Sequence, residues 1–185
     1  AEGTYRPFAE VLRRDGFVVE RATQPSGRET LSECGILVIS DAQPPARSGA
    51  PPTFLDSEIE ALEGWVRAGG SLFLITDHMP DPEPIRELAA SFGLEVNDGY
   101  VMEGGPGAGR QPTVFYMDDG TIVPDSLTLG TELGGAIRQV ATFTGSAFRS
   151  LPESSSTAPE SSTAVGRGPF RPLLVFGPGL ESWMP

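Results

Sequence analysis

Two short polar clusters follow apolar runs in this sequence, and they are where its side chains could do chemistry. Thr76, Asp77 and His78 come directly after the run 71–75, and Ser40 and Asp41 close and follow the run 36–39. Open α/β sheets collect their functional groups at the carboxyl ends of buried strands. If the two runs are neighbouring strands, Asp41 and Asp77 share one crevice with His78. An imidazole beside a carboxylate can accept a proton from water or ligate a metal, and two carboxylates with an imidazole suit a divalent cation. Asp77 and His78 are therefore the catalytic candidates, Ser40, Asp41 and Thr76 the ligand-binding candidates, and Asp41, Asp77 and His78 the candidate metal ligands. Three or four ligands are the usual requirement for a metal site, and His78 is the single histidine of the chain. The competing use of these residues is structural: His78 organising its loop, and Asp41 capping a turn ahead of Pro44 and Pro45. A divalent metal is compatible with the cluster, and no cofactor is required by the sequence.

The other candidates carry less. Every basic residue is arginine, which excludes Schiff-base chemistry and a phosphate-loop lysine. The glycine-rich residues 104–109 lack that lysine and a strand-to-helix setting, so a nucleotide loop is not expected. Residues 142–149 offer Thr144, Ser146 and Arg149 near a strand end, but Ser146 lacks the Gly-x-Ser-x-Gly elbow of a serine nucleophile, and a structural role is expected. Cys34, the single cysteine, stands before an apolar run and reads as a buried structural thiol. Met79, Pro80, Asp81 and Pro82 read as a stiff lip over the crevice.

The elements that must position these groups follow from periodicity. Tyr5, Phe8, Leu12 and the closing Gly16 predict a helix over residues 4–15, and residues 17–20 read as a strand. A short helix over 28–33 precedes the strand 36–40. After a proline-rich loop, Asp56 or Ser57 caps a helix with Ile59, Leu62 and Val66 on one face, stopped by Gly69 and Gly70. The strand 71–76, a helix over 82–92 and a short strand 94–96 follow. Asp118, Asp119 and Gly120 between 113–117 and 121–123 signal a hairpin, and 139–144 reads as a strand. Residues 152–168 read as a mobile surface loop.

Continuous apolar strands alternating with helices predict burial on both faces, hence an α/β three-layer sandwich with a mostly parallel, flavodoxin- or Rossmann-like sheet. The 185 residues suffice for one such domain, 1–185. The first helix has no strand ahead of it to pack beside, which predicts that the domain lacks its first strand, and its carboxyl end also reads as incomplete. A formal charge of −12 opposes nucleic acid phosphates and anionic lipid. No run approaches the ~20 apolar residues of a membrane span, so membrane insertion is not expected. The reading is a soluble chain, compatible with the cytoplasm or with export, whose partner is a small polar molecule or a protein.

Residues 65–76, a helix end, a Gly-Gly turn and an apolar strand, resemble the segment before the nucleophile elbow of class I glutamine amidotransferase-like domains. The layout of residues 4–102 is similar to the noncatalytic or uncharacterised bacterial branch of that superfamily, including trehalose-utilisation-type proteins and gliding-motility transporter-associated domains. The resemblance implies the sandwich fold and a crevice at the sheet edge. In its catalytic members a cysteine occupies the position of Thr76 and a histidine follows later, whereas here no histidine follows His78. The expectation is an amidotransferase-like domain without cysteine glutaminase activity that binds a small polar ligand, such as a sugar, at the carboxyl edge. The alternatives are a metal-assisted hydrolase using Asp41, Asp77 and His78, and an interaction domain of an envelope or transport assembly.

Overall fold

The computed structural model describes residues 5–43, 52–104, 112–131, 134–151 and 170–184. Helix α1 spans Arg6–Arg14 and α2 spans Arg28–Leu31; strand β1 (Ile36–Ser40) is followed by α3 (Asp56–Arg67) and β2 (Ser71–Ile75). A 3-10 turn, Glu83–Ile85, leads into α4 (Arg86–Ser91). Six short strands complete the chain: β3 (Leu94–Val96), β4 (Tyr100–Glu103), β5 (Thr113–Tyr116), β6 (Gln139–Thr142), β7 (Phe148–Ser150) and β8 (Leu180–Trp183).

The expected three-layer sandwich on a mostly parallel sheet is not what forms. Among the described residues only β1 and β2 pair in parallel, while β3 with β7, β4 with β8 and β5 with β6 make separate antiparallel pairs. The reason lies in the second half of the sequence. A parallel connection needs a crossover of a dozen or more residues, usually helical, and no helix follows α4 among the described residues. Nor are β1 and β2 buried on both faces, since Ile36 is 52% and Phe73 51% exposed.

The first half does form a β-α-β unit, and its local causes are legible. Gly69 ends α3 in a left-handed conformation (φ +105°) that side chains disfavour. Gly70 is required for a different reason: a Cβ there would enter the indole ring of Trp65. That ring is fixed by its Nε1–H, which donates to the Cys34 carbonyl at 3.1 Å. Leu55, rather than Asp56 or Ser57, is the N-cap of α3; with no side-chain oxygen there, its backbone N–H is satisfied by Glu58 Oε2 at 3.0 Å.

Leu31, Leu62 and Leu88 form a buried core against which Leu37, Ile39, Trp65 and Leu74 pack. Ile85, Ala89 and Val96 extend it, again through Leu74. Alternate residues of a strand face opposite sides, so Leu37, Ile39 and Leu74 turn inward while Ile36, Val38 and Phe73 turn out.

Three local expectations are also corrected. Residues 17–20 form no strand, because no strand among the described residues lies alongside to pair with them; Phe17 and Val18 are exposed. Residues 121–123 do not return along β5 as a strand, since β5 pairs with β6 and Ile122 makes an isolated bridge to Leu174. The turn at Asp118, Asp119 and Gly120 exists, closed by the Ile122 N–H donating to the Tyr116 carbonyl at 3.0 Å. Cys34 is only partly buried, its thiol donating to the Ile36 carbonyl. The loops expected over 152–168 and 105–109 lie outside the described residues.

Candidate functional site

The register of the parallel pair sets the site. Ser40 is opposite Ile75, so Asp41 and Thr76 leave their strands at the same edge, and the Asp41 N–H donates to the Ile75 carbonyl at 3.1 Å. The chain turns at Asp41 through φ +42°, a left-handed conformation that Asp tolerates better than most residues. Its carboxylate then meets α1: the Tyr5 phenol donates to Asp41 Oδ2. This bond, helped by partial burial and by the charges of Asp41 and Asp77, holds the phenol proton more tightly than its ordinary value of 10.0, while the nearby Ser40 hydroxyl acts the other way. Ser40 Oγ nevertheless meets no partner with hydrogen-bond geometry.

On the β2 side, Asp77 is exposed and turns back on itself, Oδ1 accepting the His78 N–H at 2.8 Å. Ser146 Oγ donates to the Asp77 carbonyl at 2.6 Å, tying the turn before β7 to this edge. His78 Nδ1 lies 2.8 Å from the Met79 carbonyl. A carbonyl only accepts, so in the neutral imidazole the proton sits on Nδ1 and Nε2 keeps its lone pair. The ring stacks on Tyr100 at 4.6 Å between centroids, and Tyr100 tilts against Trp183 at 6.3 Å.

Asp41 and Asp77 flank one edge, with two further carboxylates near them: Asp81, read from the sequence as part of the lip over the crevice, and Asp98, which the sequence reading did not include. Asp81 holds its proton more tightly than its ordinary value of 3.8, first through burial and then through the charges of Asp41, Asp77 and Asp98, with His78 opposing. Asp98 pairs with the Arg86 guanidinium at 3.9 Å. Arg149, for which the sequence predicts a structural role near a strand end, pairs with Glu95 across β3 and β7 at 2.6 Å. Among the described residues no group of three or more His, Cys, Asp or Glu is arranged to hold a metal ion.

Several shielded polar atoms have no partner among the described residues: Ser40 Oγ, Asp41 Oδ1 and Thr76 Oγ1 at the strand ends, and Asn97 Oδ1, Asp98 Oδ1 and Thr144 Oγ1 in the segments beyond. No hydrogen bond joins Thr76 to His78 or Asp77, so its hydroxyl has no base. Tyr5, Tyr100 and Asp98 were not legible as neighbours of this edge, whereas Asp81 was read as part of the lip over it. The Tyr5 partner is 36 residues away, and no local spacing announces such a contact.

An open groove of about 550 Å³ between α2 and α3, lined by polar and apolar residues including Arg28, Leu55, Glu58 and Arg67, shares no residue with this edge. No helix among the described residues is long and apolar enough to cross a membrane. Comparison of the chain with protein-family models, curated proteins and solved structures gave no match.

Proposed function

We propose that the carboxyl edge of β1 and β2 binds a small, hydroxyl-rich polar molecule of the sugar or polyol class. The observation that carries this reading is the trio Ser40 Oγ, Asp41 Oδ1 and Thr76 Oγ1, shielded from solvent and unpartnered at adjoining strand ends. An unsatisfied buried polar atom costs about 1–3 kcal/mol, and a ligand hydroxyl can repay that cost at each. A hydroxyl both donates and accepts, which suits two protein hydroxyls and a carboxylate oxygen together.

Charge narrows the class. Burial first, and then the charges of Asp41, Asp77 and Asp98, hold the proton on Asp81 more tightly, and an edge with this many carboxylates disfavours phosphate and carboxylate ligands. The His78 and Tyr100 pair beside the edge offers an aromatic surface of the kind that sugar rings lie on. Binding is favoured over catalysis because neither the Ser40 nor the Thr76 hydroxyl is hydrogen-bonded to a base among the described residues.

Thermal unfolding with a panel of monosaccharides and linear polyols tests the reading. A ligand at a hundred times its Kd stabilises by about 2.7 kcal/mol, a readily measured rise in Tm. The expected result is a rise for at least one compound that disappears in the double variant Ser40→Ala, Thr76→Ala. A rise of equal size in that variant would place binding elsewhere and overturn the assignment, as would a panel without any rise.

A further inference from the structure

Among the described residues, two that are not glycine turn through the left-handed region: Asp41 at φ +42° and Thr144 at φ +62°. Asp tolerates that conformation, whereas the branched Cβ of a threonine crowds the neighbouring backbone. Both residues also carry a shielded oxygen without a partner, Asp41 Oδ1 and Thr144 Oγ1. At Thr144 two unfavourable features therefore coincide. A glycine or an asparagine would relieve the backbone, and a valine would remove the idle hydroxyl. Strain and an unmet hydrogen-bonding group on one residue point to a function outside the fold itself.

The two strained turns meet the same short segment. The Asp41 N–H donates to the Ile75 carbonyl at 3.1 Å, and Ser146 Oγ donates to the Asp77 carbonyl at 2.6 Å. Between those carbonyls in the chain stands Thr76, whose own Oγ1 is shielded and unpartnered. Thr144 is two residues from Ser146, which keeps their Cα atoms within about 7 Å. The turn is also tied to the segment 97–101: the Val101 N–H donates to the Gly145 carbonyl and the Asn97 N–H to the Ala147 carbonyl, each at 2.9 Å. Residues 144–147 are thus pinned at the end of β2 by bonds that leave the Thr144 hydroxyl out.

We propose that Thr144 is a ligand-binding, specificity-determining residue of the strand-end site, and that the turn 144–146 is the second wall of that site. The inference rests on the polar-ligand reading and sharpens it. The Thr144 hydroxyl adds a donor and an acceptor, from a separate element, to the groups of Ser40, Asp41 and Thr76. Because the turn is already pinned, that hydroxyl is held in place before a ligand arrives, and binding meets no cost of ordering the loop. A molecule that engages both walls carries hydroxyls along its whole carbon frame, as a monosaccharide or an alditol does. Ethylene glycol serves one wall only.

Calorimetric titration of the full chain with glucose, ribose, sorbitol and xylitol as probes tests this in the wild type, Thr144→Val, Thr144→Ser and the double variant Ser40→Ala, Thr76→Ala. Valine keeps the branched shape and removes the hydroxyl, whereas serine keeps the hydroxyl. The expected result is a probe whose Kd rises ~10-fold or more in Thr144→Val and stays within about 3-fold of the wild type in Thr144→Ser. The Tm of Thr144→Val without probe is expected to equal or exceed that of the wild type, since the hydroxyl it removes has no partner in the free chain. Binding that is lost in the double variant but unchanged in Thr144→Val overturns the role of Thr144 and leaves the strand-end site in place. No binding of any probe to the wild type overturns both. The proposal also fails if Thr144→Val melts well below the wild type, which would show the hydroxyl in use within the fold, or if ethylene glycol binds as tightly as the probes.

Discussion

The Tyr5 phenol donates a hydrogen bond to Asp41 Oδ2, joining the N-cap of α1 to the residue that follows β1. Because the bond uses one carboxylate oxygen, it leaves Oδ1 as the unpartnered acceptor of the site. The phenol is held protonated above its ordinary value of 10.0, chiefly by this bond. A tyrosine with a raised folded-state pKa contributes stability that is present below its unfolded value and lost as pH rises through the folded one. Tyr5→Phe is expected to remove the late step from the alkaline absorbance titration of the phenols. Its cost at neutral pH is about 0.5–1 kcal/mol, at the low end for a charged partner because Tyr5 is largely exposed.

Asp81 makes the opposite kind of contribution at neutral pH. Burial and the carboxylates of Asp41 and Asp77 raise its pKa above the ordinary 3.8, so the folded state binds its proton more tightly than the unfolded one. Folding is then penalised once pH rises through that folded value, and the penalty is absent below the unfolded value. Asp81→Asn is expected to unfold at higher urea than the wild type at pH 7, with the advantage shrinking as pH falls to about 3. An advantage independent of pH would show that the charge is not its source.

The one-faced burial of the parallel pair predicts unequal costs for truncating apolar side chains. Leu62 is fully buried between α3 and the inner face, and Leu62→Ala should cost about 2–5 kcal/mol. Phe73 faces outward and is 51% exposed, so Phe73→Ala should cost less than about 1 kcal/mol. Urea midpoints of the two variants give the comparison. Equal large losses would contradict the exposed outer face and restore burial on both sides.

How much of this was legible in the sequence depends on the range of the interactions. Helix α3, its Gly69 and Gly70 stop, and strands β1 and β2 follow from periods and turn residues within a dozen positions, and the register of the pair then brings Asp41 and Thr76 together. The sandwich did not follow, because apolar runs such as 36–40 look alike whether one face or two are covered. Pairings such as β4 with β8 join segments about 80 residues apart by backbone bonds that leave little trace in residue type. Residues 17–20 have the composition of a strand but no strand beside them among the described residues, and composition cannot supply one.

The same distinction applies to the site. Ser40, Asp41, Thr76, Asp77 and His78 could be picked out because polar residues follow apolar strands. Tyr100 under His78 and Ser146 on the Asp77 carbonyl depend on where distant loops settle.

The most direct test of the polar-ligand claim is a residue-resolved NMR titration of the wild type with the sugar and polyol panel, following the backbone amides of Asp41, Asp77 and His78. The prediction is saturable shifts centred on those amides for at least one compound, absent in the Ser40→Ala, Thr76→Ala variant while its spectrum remains that of a folded chain. Shifts centred instead on the α2 and α3 groove around Arg28 and Arg67, or no saturable shift with any compound, would contradict it.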